Sequence, residues 1–158
     1  MNIEKKYIYI ALTAVGIIIV ILGILYYVKK KNASDVSQIK VKTDNKVVEV
    51  DKSKLPDKLP VNIPIEKDAK ILQNYNVVSK DGGAQSTRSF VSGVSLADNL
   101  ALYTNFMKTN GWTIKSTLDN PEYKMVFGTK DKNELQVSMT ENKVTKTRTV
   151  TLSLTERK

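Results

Sequence analysis

The 158-residue chain contains no cysteine and no histidine. Without cysteine it has no disulfide, no thiolate metal site and no cysteine nucleophile. Without histidine it lacks the commonest general base and the commonest transition-metal ligand. A glycine-rich phosphate loop is missing too, since Asp81-Gly82-Gly83 is too short and reads as part of a hairpin loop. A serine–lysine pair would need no histidine, but no nucleophile-bearing motif surrounds any serine. Asp119 and Glu122 share the turn "LDNPEY", which is thin ground for a calcium site. The composition argues against an enzyme and calls for no cofactor and no metal.

Acidic residues are the scarcer charge, 16 against 25 basic ones, a net charge of +9. Divided along the chain, the excess falls at +4 in residues 1–31, +1 in 32–60 and +4 in 61–158. Almost half of it flanks one apolar run, where lysines anchor helices at lipid headgroups. What remains is modest and dispersed, so nucleic acid is a poor candidate partner.

That run, Tyr7–Val28, "YIYIALTAVGIIIVILGILYYV", has no charged residue. At about 1.5 Å per residue a helix over it reaches roughly 33 Å, enough to cross a hydrocarbon core of about 30 Å. Tyr7, Tyr9, Tyr26 and Tyr27 stand where aromatic belts form. It is too long for a cleaved signal, and no small-x-small site precedes the following lysines. The expectation is a signal anchor that spans the membrane once, after a short tail over 1–6, with membrane lipid as its partner. Gly16 and Gly23 lie seven apart on one face and are candidates for contact between two such helices. Lys5 and Lys6 before the run balance Lys29, Lys30 and Lys31 after it closely enough that the charge rule does not fix orientation.

Residues 29–60 read as a juxtamembrane linker. Ile39–Lys42 and Lys46–Val50 alternate on either side of Asp44-Asn45, a hairpin pattern. Pro56, Pro60 and Pro64 then recur every four residues and stiffen the approach to the domain.

From Val61 to the end the pattern is that of an α+β domain, one helix packed on an antiparallel sheet in the order β-β-α-β-β-β-β. Residues 69–80 and 87–93 read as strands on either side of the "DGGAQS" loop. Ser95 and Asp98 form a capping-box-like pair. Leu96, Leu100, Tyr103 and Met107 make an apolar helical stripe, and Asn110-Gly111 ends it. The period then changes to two. Trp112, Ile114 and Leu118 are expected on one face, as are Tyr123, Met125 and Phe127, then Leu135, Val137 and Met139, then Val150, Leu152 and Leu154.

The opposite face is rich in hydroxyls: Thr113, Lys115, Thr117, Gln136, Ser138, Thr140, Thr149, Thr151 and Ser153. It is a candidate surface for a ligand or partner, although threonine also simply favours strands.

The stretches "IPIEKDAKIL" (63–72) and "SLADNLALYTNFMKTNGWTI" (95–114) resemble those of small, uncharacterised, membrane-anchored bacterial envelope proteins. The matching positions are Pro64, Ile65, Ala69, Tyr103, Gly111 and Trp112. The resemblance implies a domain outside the cytoplasm. Gly111 and Trp112 also suit a tight turn and a packed core beside Tyr103. The functional expectation is an extracytoplasmic interaction or structural module with a protein partner in the envelope, such as an accessory subunit. The alternatives are a module binding cell-wall glycan or another ligand, on the hydroxyl face or beside the helix, and a cytoplasm-facing domain meeting anionic lipid or nucleic acid.

Overall fold

The structure, a computed structural model, describes residues 45–79 and 82–157. The expected membrane helix, Gly16, Gly23 and the strand Ile39–Lys42 lie outside the described residues. Among the described residues no helix is long and apolar enough to cross a membrane.

Seven strands and one helix follow in the order β1 (Lys46–Glu49), β2 (Ile71–Val78), β3 (Ala84–Ser92), α1 (Leu96–Thr109), β4 (Thr113–Asp119), β5 (Tyr123–Lys130), β6 (Asn133–Glu141) and β7 (Arg148–Glu156). They form one antiparallel sheet ordered β1-β2-β3-β7-β6-β5-β4. The α+β expectation holds, and the expected hairpin strand Lys46–Val50 joins the six strands of the domain as a seventh. That strand is β1, which pairs with β2, Lys46 opposite Val78 and Glu49 opposite Tyr75.

Both ends of α1 are set by local chemistry. The Ser95 hydroxyl accepts from the Asp98 N–H and donates to the Asp98 carboxylate. At the other end the Trp112 N–H reaches back to the Met107 carbonyl and the Gly111 N–H to that of Lys108. This Schellman arrangement requires a left-handed residue, supplied by Gly111 at φ 76°. Leu96, Asn99, Tyr103, Phe106 and Met107 turn inward. They meet Val126, Leu135, Val137, Met139, Val150, Leu152, Leu154 and Phe90, all fully or nearly fully buried.

The expected inward faces of β6 and β7 are confirmed. Those of β4 and β5 require correction. Tyr123, Met125 and Phe127 do share a face, but it is the one turned away from α1, because Val126 and Gly128 are register partners of inward-facing Val137 and Leu135. The helix comes so close there that a Cβ on Gly128 would stand 3.1 Å from Met107 Sδ. In β4 the register slips between Ile114 and Ser116. This bulge separates Ile114, which packs against the core, from Leu118, which faces outward opposite Met125 and is 43% exposed.

Residues 50–65 run as a strap over the inner face of β2 and β3, contributing Leu59 and Ile63 to the core and burying Pro56. Below it lies a polar layer. The Asn74 amide donates to the carbonyls of Val50, Asp51 and Lys54, and Arg88 donates to those of Lys52 and Lys54. Burial lowers the Arg88 pKa, because the charged form gives up hydration.

Candidate ligand-binding groove

The β4 bulge decides which of the sequence-selected residues can act together. Lys115 occupies the bulge itself, between two residues that pair across to β5. Thr113 lies on the outer face opposite Thr129, whereas Thr117 pairs with Val126 and so lies on the helix side. The expected row Thr113, Lys115, Thr117 is therefore divided between two faces.

Thr117 faces α1 across an open groove of about 420 Å³, lined also by Ala97, Leu100, Ala101, Thr104, Asn105 and Lys108. The apolar contribution comes from Ala97, Leu100 and Ala101, and Lys108 supplies the one charge among the lining residues. Sequence reasoning had pointed to the helix flank but not to these side chains. The signal was present in the spacing: 97, 101, 104 and 108 form a second stripe one position on from the core stripe 96, 100, 103 and 107. Its small residues leave a trough where larger ones would have closed against β4. Beneath α1, by contrast, Tyr103, Phe106 and Met107 fill the space between helix and sheet.

The remaining selected residues, Gln136, Ser138, Thr140, Thr149, Thr151 and Ser153, lie together on the outer face, as their register shows. β3 completes this surface with Gln85, Thr87 and Ser89, which the sequence pattern had not included. Much of its hydrogen-bonding capacity is used internally. The Gln85 amide donates to Ser153 at 2.8 Å and to Thr87 at 3.3 Å, and the Ser89 and Thr151 hydroxyls bond at 2.8 Å. Thr87 and Ser89 are buried.

A second depression, about 410 Å³, lies between Glu66–Lys70 and the end of β3. Its polar groups act as a structural latch. The Glu66 carboxylate accepts from the Ser92 hydroxyl and from the Gly93 N–H at 2.9 Å, and Asn99 donates to Ser92 at 3.0 Å. Tyr103 donates to the Pro64 carbonyl at 2.7 Å. Burial, reinforced by the Glu66 carboxylate, raises the Tyr103 pKa well above the usual tyrosine range. Asp119 and Glu122 are each ion-paired with a lysine, Lys124 and Lys143 respectively. Among the described residues no cluster of three acidic side chains has metal-binding geometry.

Residues 72–149 match a family model described as START domain-like. That span runs from β2 into β7 and contains every residue of the groove. No curated protein matches the chain, and no solved structure does.

Proposed function

We propose that the folded domain is a ligand-binding module that holds a slender, largely apolar ligand along α1, its polar end toward Lys108. The groove carries this reading: it combines an apolar wall, three polar neighbours in Thr104, Asn105 and Thr117, and a single cation. The family match supports it, since START-like domains are generally ligand-binding. It favours ligand capture over a purely structural or protein-docking role. A glycan is the weaker ligand, because the groove has no aromatic side chain for a sugar ring to stack on.

The test is displacement of a fluorescent long-chain fatty acid from the full chain. Ala101→Trp fills the middle of the groove from an exposed helix position. Affinity should drop by about tenfold or more while the thermal midpoint stays close to that of the parent. Undiminished binding by Ala101→Trp would place the ligand elsewhere, and failure of the parent to bind any amphiphile would remove the reading.

The same proposal keeps Tyr7–Val28 as a single-pass membrane tether with the domain on the extracytoplasmic side. Its support is the run's length and the envelope resemblance. Protease added to intact cells should remove a tag placed after Lys158; a tag that survives there, but is lost on lysis, would put the domain inside.

A further inference from the structure

The two ends of the sheet treat their charges differently. At the end where α1 begins, Lys124 pairs with Asp119, Lys143 with Glu122, and Lys146 and Arg148 with Glu141. Lys67 and Lys70 there are interleaved with Glu66 and Asp68. The opposite end is traced by the register row Lys46, Val78, Ala84, Glu156, Asn133, Lys130. Here Glu156 is taken by Lys58 and Glu134 by Arg157. What remains at this end is Asp131 in the β5–β6 turn and four exposed lysines spread along the row, Lys46, Lys108, Lys130 and Lys132, none of which is in an ion pair among the described residues. Lys130 bends over the helix terminus, donating to the Asn110 carbonyl at 2.9 Å.

The same end carries the most exposed large aliphatic side chain of the described residues, Val61, at 96%. It is not a frayed loop residue. The turn is closed by the Ile63 N–H on the Pro60 carbonyl, and the Asn62 amide is fixed to Asn110 at 2.7 Å. Leu59 and Ile63 on either side are buried in the core. The valine is thus held outward by its buried and hydrogen-bonded neighbours, at the same end of the sheet as these lysines. Polar or proline residues would serve better if the turn only had to face water.

We propose that this end of the fold docks onto an anionic lipid surface, with Val61 entering the headgroup layer and the four lysines meeting lipid phosphates. An exposed aliphatic tip on the same end of the fold as several unpaired lysines is the combination an anionic interface accepts. The chain also enters β1 at this end, at Lys46. Lys108 belongs both to this end and to the groove, so the charged end of the groove lies at the proposed lipid-facing end.

The absence of native cysteine makes a site-specific test direct. Val61→Cys and Val144→Cys, the latter at the opposite end and also exposed at 90%, are each labelled with an environment-sensitive fluorophore. The full chain is reconstituted into vesicles of phosphatidylcholine alone or mixed with phosphatidylglycerol. The label at 61 should shift to the blue and be quenched by shallow nitroxide lipid in the anionic vesicles. High salt should reverse the shift, and Lys46→Gln with Lys132→Gln, both outside the groove, should weaken it. The label at 144 should stay aqueous throughout. Equal emission from the two labels in anionic vesicles overturns the proposal; so does a shift at 61 that neutral lipid or high salt leaves unchanged. Neither result bears on whether the groove binds its ligand.

Discussion

Two side chains show how narrowly the interior is fitted. Gly128 sits in β5 where a Cβ would meet Met107 Sδ at 3.1 Å and the Thr113 carbonyl oxygen at 3.2 Å. Methionine can bend away; a backbone carbonyl held in the sheet cannot. Gly128→Ala should therefore cost about 1–3 kcal/mol in chemical denaturation, although alanine normally favours a strand no less than glycine does. Tyr103 gives a pH signature. Its hydroxyl is buried, bonded to Pro64 and close to the Glu66 carboxylate, so folding raises its pKa. The unfolded chain then loses that proton first, near pH 10, and stability is flat below that value and declines as pH rises above it. Tyr123, also raised by burial, contributes in the same sense. Urea midpoints measured from about pH 8 to 11 should show this decline, and Tyr103→Phe should make it shallower without abolishing it.

At the level of elements, the helix ends are the most self-contained. Ser95→Ala removes the acceptor of the Asp98 N–H and should destabilise the fold by about 1 kcal/mol, measured by loss of helical circular dichroism in urea. How much of each element could be read in advance depended on how one-sided it was. β6 and β7 alternate cleanly between Leu135, Val137, Met139 or Val150, Leu152, Leu154 and polar residues, so their faces were legible. β5 is apolar on both sides, with Met125 buried on the outer face and Val126 on the inner. The larger side chains suggested the wrong face, because the side nearest the helix had to carry Gly128. The bulge at Lys115 leaves no mark in composition, yet it moves Thr117 to the groove and strands Leu118 outside. Polar Asn99 inside the helix stripe was equally hidden: its amide is satisfied only by Ser92, Val94 and Ser95, partners that the folded chain brings close.

Over the whole molecule, the helix and the antiparallel sheet could be inferred from periodicity, whereas the strand order could not. Lys46–Glu49 showed strand-like alternation but nothing that named β2 as its partner, and the proline-spaced segment looked like a spacer rather than a cover for Asn74 and Arg88. The charge asymmetry was invisible for the same reason: in sequence the lysines are spread evenly, and only register separates those with an acid beside them from those without. The sheet order has a further consequence. β7 lies between β3 and β6, so it joins a wing of β1–β3 to a wing of β4–β6 that otherwise share no strand pairing. Of the seven strands in this sheet it is also the last to leave the ribosome. Neither wing can complete its sheet during synthesis until residues beyond Arg148 have emerged, and the nascent chain exposes two unpaired inner edges until then. A chain ending at Thr147 should be digested at low protease concentration, whereas the full chain resists. Stalled nascent chains should acquire that resistance in one late step, when the closing strand clears the exit tunnel.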